Sequence, residues 1–218
     1  MSNDAPDTIG THHHAHHFAN ANEEFEASKQ GMWLFMVTEV LMLGAIFVAY
    51  AIFRSLYPDM FHEAHQLLNV KLGTLNTAVL ITSSLTMALG VAAAQRGQNV
   101  KCGRYLLLTI LLAGAFLVVK YFEYEHKIHE GILPAGFYTY EGLKHPKAPL
   151  FFSLYFVLTG LHGLHVLIGM GLIFWIYLRA RKRQFSAQYY TPVELVGFYW
   201  HFVDLVWIYL FPLLYLVS

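Results

Sequence analysis

The sequence predicts an all-α polytopic membrane protein, a bundle of five transmembrane helices. Three observations carry that prediction. Hydrophobic residues make up 56% of the 218 and charged residues only 13%, against roughly 45–50% and about 25% in a soluble globular domain. Five apolar runs approach or reach the length of about 20 residues that a helix needs to cross a bilayer core. The segments between them are short and hold nearly all the charge. No soluble-domain stretch or internal repeat interrupts them, so residues 31–218 read as one membrane domain.

Residues 1–30 come first and are polar, with Asp4, Asp7, Glu23, Glu24, Glu26 and the histidines His12, His13, His14, His16 and His17. They read as a disordered or surface-lying tail. A secretory signal would show a positive start and a small-residue cleavage site. Neither is present, so the first apolar run is expected to be retained. A natural metal-binding tract, a remnant tag and a neutral polar tail compete as readings of these histidines; Ala15 interrupts the run, which favours a natural tail, with no catalytic role.

Span one, residues 31–53, contains Glu39. A carboxyl in hydrocarbon needs a partner, a water cavity or a task. Its two readings are a proton carrier and a structural carboxyl bonded to a neighbouring helix or a lipid headgroup, the second favoured. Span two, residues 72–94, adds Asn76, Thr77, Ser83 and Ser84, residue types that hydrogen-bond between membrane helices. Span three covers residues 105–122, and the long loop after it, with Glu123, Glu125, Lys127, Glu130, Glu141, Lys144 and Lys147, is charge-balanced. Pro134, Gly136, Gly142, Pro146 and Pro149 predict that this loop is irregular.

Span four, residues 150–178, places His162, His165 and Gly169 on one helical face at i, i+3 and i+7. Interhelical packing is favoured over a metal, because no companion Cys or carboxylate completes a coordination shell. Span five, residues 194–217, sets Glu194, Gly197, His201 and Asp204 on one stripe, and a direct His201–Asp204 pair is expected. The cations that follow spans two and four (Arg96, Lys101 and Arg104; Arg179, Arg181, Lys182 and Arg183) put those loops in the cytoplasm by the positive-inside rule. An odd number of spans then leaves the N-terminus inside and the C-terminus outside.

The charge balance excludes one class of partner. Fourteen Lys and Arg match fourteen Asp and Glu, so no basic field is available to hold nucleic acid. A single cysteine, Cys102, makes no intramolecular disulfide and no zinc site.

Motifs spread from Gly31 to the C-terminus resemble subunit III of the haem–copper terminal oxidases. They are GMWLFMVTEVLML around Glu39, LNTAVLITSS in span two, KYFEY closing span three, GLHGLHVLIG in span four and FYWHFVDLVWIYLF in span five. The resemblance implies the five-span bacterial form, lacking two helices of longer members, and an accessory chain that binds neither haem nor copper. Those cofactors would lie in partner subunits. It implies subunit I as main partner, with subunit II and a small subunit IV, and leaves membership of a respiratory supercomplex open. Glu39 would be the buried, carbodiimide-reactive carboxyl, and Arg179 and Lys182 would hold phospholipid headgroups. His162, His165, His201 and Asp204 would form a polar packing network with no metal. The implied role is to keep subunit I of a proton-pumping cytochrome c oxidase active and to support proton uptake, in a bacterial-type cytoplasmic membrane. A quinol oxidase or a nitric oxide reductase remains open as the host complex, and a proton or cation transporter is the rival of another class.

Overall fold

Continuous apolar sequence with few backbone breakers leaves each peptide group in a bilayer one economical partner, the carbonyl four residues back. The computed structural model describes residues 21–134, 137–140, 142–143, 145 and 147–216. Its helices are α1 (Ala21–Leu56), α2 (Pro58–Ala64), α3 (Val70–Gln95), α4 (Asn99–His129), α5 (Ala148–Arg181) and α6 (Thr191–Phe211). A 3-10 turn, His65–Leu67, follows α2, and a π-helical turn, Pro212–Leu216, extends α6. All except α2 are long and apolar enough to cross a membrane.

The five spans are those the apolar runs predict, with three ends displaced by six residues or more, one of them the start of α4, at Asn99 rather than 105. Residues 21–30, read as the last part of the polar tail, are the first turns of α1. Glu and Lys are good helix formers, so charge ends an apolar run without ending a helix. The tail histidines His12, His13, His14, His16 and His17 lie outside the described residues. For the same reason α4 runs to His129, seven residues past the expected limit of 122. It stops where Gly131 takes a left-handed conformation (φ 76°). There the amides of Gly131 and Ile132 bond back to Ile128 and Lys127, the pattern of a Schellman cap.

Helices α3 to α6 form a four-helix core in which α3 packs on α4 and α6, and α5 packs on the same two. Helix α1 stands outside it against α6, and most of its apolar surface is exposed, including Trp33, Leu34 and Leu41. Polar side chains stitch α3 to its neighbours. Trp200 donates to Ser83 at 3.1 Å, Trp207 donates to Thr77 at 3.1 Å, and Thr86 pairs with Thr109 at 2.8 Å. Three of the four polar residues expected to bond between helices do so. Asn76 does not, because its amide is fully buried with neither atom in a hydrogen bond.

Small residues set two of the closest approaches. A Cβ on Gly169 would lie 2.8 Å from the Trp200 ring, and one on Gly197 would lie 2.9 Å from Val91. Gly163, in the same motif as Gly169, has open space instead.

Candidate functional site

Glu39 lies fourteen residues into the apolar stretch Phe25–Leu56, about 21 Å along the axis at 1.5 Å per residue and close to the middle of the span. Its Oε2 is 2.9 Å from Nε2 of His165 on α5. The opposite ring nitrogen, Nδ1, is 2.7 Å from the carbonyl of Leu161. A carbonyl only accepts, so Nδ1 carries a hydrogen and donates it. One proton then remains to be shared on the other side of the ring. Either a protonated Glu39 donates to a neutral imidazole, or an imidazolium donates to the carboxylate.

Both forms are net neutral, which suits side chains 12–14% exposed within the membrane spans. They differ by the position of one proton along a single hydrogen bond. The pair lines a cleft of about 370 Å³ between α1, α5 and α6, whose other walls include Met32, Phe35, Ile168, Leu172 and Tyr199. Tyr199 donates to the carbonyl of His165 at 3.1 Å and anchors α6 to this part of α5. The arrangement can hold or pass a proton and can accommodate an apolar chain.

The other predicted polar residues separate. His162 is 1% exposed, between the rings of Phe116 (5.5 Å, edge-on) and Trp207 (5.1 Å), and neither of its nitrogens has a hydrogen-bond partner. Its neighbour on the helix face, His165, turns to Glu39 instead. His201 does not bond Asp204 as expected. Its Nδ1 meets Ser84 Oγ at 2.6 Å, while both Asp204 oxygens are buried without a hydrogen bond, the Ser84 hydroxyl being a polar neighbour. The spacing i, i+3 puts two side chains on one face, but Ser84 on α3 offers His201 a better-directed partner across the gap. Among the described residues no three His, Cys, Asp or Glu side chains gather as a metal-binding set.

Arg179 and Lys182 mark the end of α5. Arg179 donates to Gln184 at 2.9 Å and to Tyr189 at 3.3 Å, and its guanidinium lies 5.0 Å from the centre of the Trp175 ring. Lys182 caps the helix and is exposed.

A second buried polar cluster escaped the sequence reading. Lys120 donates to Glu123 at 2.9 Å, to Tyr215 at 3.1 Å and to Tyr155 at 3.2 Å. Glu123 also accepts from Tyr215 at 2.6 Å and from Tyr155 at 2.9 Å. One turn further on, Lys127 donates to the Leu67 carbonyl at 3.2 Å. Glu123 and Lys127, read as part of a charge-balanced outer loop, are therefore buried helix residues, 4% and 3% exposed. A signal was present. The buried positions Leu106, Thr109, Ala113, Phe116, Lys120, Glu123 and Lys127 keep one alternation of three and four along α4, so the inward stripe continues after its residues become charged.

The family model described as cytochrome c oxidase subunit III matches residues 8–218. The match takes in most of the first 30 residues, which the motif resemblance left outside. The chain is 32% identical over 200 residues to the cytochrome c oxidase subunit 3 of Thermostichus vulcanus, covering 91% of this chain and 92% of that one. It is 30% identical to the cytochrome bo(3) ubiquinol oxidase subunit 3 of Pseudomonas aeruginosa over 99% of this chain and 94% of that one. In the heme-copper oxidase subunit I+III of Aeropyrum pernix, 22% of the length is 30% identical to 87% of this chain.

Proposed function

The chain belongs to the cytochrome c oxidase subunit III family and is an accessory subunit of a haem–copper oxidase, and from that premise we propose that it keeps subunit I of a cytochrome c oxidase active through turnover and supports proton uptake. The observation that carries this reading is the Glu39–His165 pair, which shares one proton at mid-membrane beside an apolar cleft. The cleft holds the acyl chain of a phospholipid. Arg179 and Lys182 hold a headgroup at the end of α5, where Lys182 is exposed and Arg179 is positioned by Gln184 and Tyr189.

Haem and copper reside in partner chains. Subunit I is the main partner, a reading supported by a relative named as a subunit I+III protein. Subunit II and a small subunit IV complete the complex, which can join a respiratory supercomplex. The chain sits in a bacterial-type cytoplasmic membrane with its N-terminus inside, the direction favoured by the seven cations in and beside the α3–α4 and α5–α6 connections. Within the bundle His165 and His201 serve hydrogen bonding, to Glu39 and Ser84, while His162 and Asp204, buried without hydrogen bonds, serve packing.

Stripping this chain from the purified oxidase tests the reading. Initial oxygen consumption should stay within about two-fold of the complete enzyme and then decay faster with each turnover, a loss of function without loss of the catalytic chain. Activity that persists undiminished would overturn the stabilising role. The electron donor is the second question, because the relatives include both a cytochrome c and a ubiquinol oxidase subunit. Oxidation of reduced cytochrome c by the co-purified complex, with matching haem spectra, supports the first; oxidation of quinol alone supports the second.

A further inference from the structure

Three helix ends in this fold close in the same way. After α3 the amides of Gly97 and Gln98 bond to Ala94 and Ala93, and after α4 those of Gly131 and Ile132 bond to Ile128 and Lys127. After α5 the amides of Arg183 and Gln184 bond to Ala180 and Arg179. The pattern needs a left-handed residue, and glycine is the residue that adopts this shape without strain. Gly97 and Gly131 supply it at φ 68° and 76°, whereas the third position is Arg183 at φ 53°. An arginine held where glycine is favoured points to a use for its side chain.

Arg183 lines a cavity of about 290 Å³ between the start of α4 and the end of α5, with Arg104 and Arg181. Each arginine comes from a different position: Arg104 from the second turn of α4, Arg181 from the last turn of α5 and Arg183 from the residue after the cap. Asn99 holds the two sides together, donating to the Phe185 carbonyl at 2.7 Å and accepting from the Phe185 amide at 3.2 Å. Arg181 lies over the ring of Tyr177 at 6.0 Å. The cavity lining contains no carboxylate, and among the described residues no ion pair engages any of the three.

We propose that this cavity binds the phosphate-bearing headgroup of an anionic phospholipid through Arg104, Arg181 and Arg183. Planar guanidinium groups present paired donors that match phosphate oxygens, and α4 begins here, adding the positive end of its dipole. The mouth is apolar as well as cationic. Val100 and Leu107 line it at 58% and 42% exposure, and Leu111, 61% exposed, continues the Leu107 face one turn deeper along α4. An acyl chain can follow that face from the headgroup into the bilayer. A lipid fits better than an acidic protein segment, because the site lies at the ends of two spans beside the exposed apolar side chains of Leu107 and Leu111. It is separate from Arg179, whose guanidinium is turned to Gln184, Tyr189 and Trp175, and it does not depend on the Glu39 cleft.

The test uses the intact oxidase, purified in mild detergent with the wild-type chain or the double variant R104Q/R181Q, and counts phospholipids per complex by class. The variant should lose about one anionic phospholipid, as expected for a basic interhelical headgroup site, with every subunit retained. An unchanged count, or loss of a zwitterionic lipid alone, overturns the proposal. So does loss of a partner subunit with the phospholipid count intact, which would assign the cavity to an acidic protein segment. Wild-type complex is also labelled with a photoreactive phosphatidylglycerol, which needs no variant to fold. Labels on residues 99–107 and 177–183 that phosphatidylglycerol displaces and inorganic phosphate does not support the site. Displacement by inorganic phosphate alone, or labelling confined to other residues, refutes it.

Discussion

Glu39 and His165 are 126 positions apart in the chain and 2.9 Å apart in space. Because Leu161 takes the hydrogen on Nδ1 of the ring, their contact carries one proton whichever residue owns it. That makes a glutamate tolerable within a membrane span without a net charge.

Glu39→Gln should leave the chain in its complex and abolish labelling by a hydrophobic carbodiimide, the reactivity that the family resemblance assigns to this carboxyl. The glutamine amide can donate to Nε2 in place of the acid, so the α1–α5 bond persists. Mass mapping of the labelled peptide together with subunit stoichiometry checks both halves. Labelling that survives the substitution would place the reactive carboxyl elsewhere.

Glu123→Ala should destabilise the subunit by about 3–5 kcal/mol, because it leaves Lys120 buried without its counter-ion. The double change Lys120→Met with Glu123→Leu should cost much less than the sum of the single changes. Thermal dissociation of this chain from the complex measures all of them. Additive losses would show that the two side chains act independently despite their 2.9 Å contact.

Gly169→Ala should cost about 1–3 kcal/mol by overpacking, since its methyl would sit 2.8 Å from the Trp200 ring. Gly163→Ala, with open space around it, should be neutral or stabilising by up to about 1 kcal/mol through helix propensity. The same thermal assay compares them, and equal effects would remove close approach as the reason for Gly169.

His162→Leu should change stability by no more than about 1 kcal/mol, because an imidazole without hydrogen bonds gives up little polar interaction when replaced by an apolar group of similar size. A much larger loss would show that the ring contributes through its edge contact with Phe116 and its tilted contact with Trp207, beyond its volume.

Much of this molecule is legible in its residues. The span count follows from runs of about 20 apolar residues, and Glu39 stands out in one of them. Thr77, Ser83 and Ser84 bond between helices as their chemistry suggests. Span three does not end at Phe122, where charged residues begin, because charge by itself does not end a helix. A helix buries charge when it supplies the counter-ion three residues on and a neighbouring helix supplies hydroxyls, as Lys120, Glu123 and Tyr155 do. The His201–Asp204 pair fails for a related reason: sharing a face is a property of one helix, whereas Ser84 becomes available only when α3 packs on α6.

By itself the sequence determined the fold class, the number of spans and the presence of ionisable groups among them, because hydrophobicity and helical period are local properties of the chain. The tertiary structure alone decided who partners whom: Glu39 with His165, His201 with Ser84, Glu123 with two tyrosines, and Arg104 beside Arg181 and Arg183. Each of those contacts depends on the rotation and depth of one helix against another. Side-chain packing across the whole bundle sets those quantities, and no window of sequence contains them.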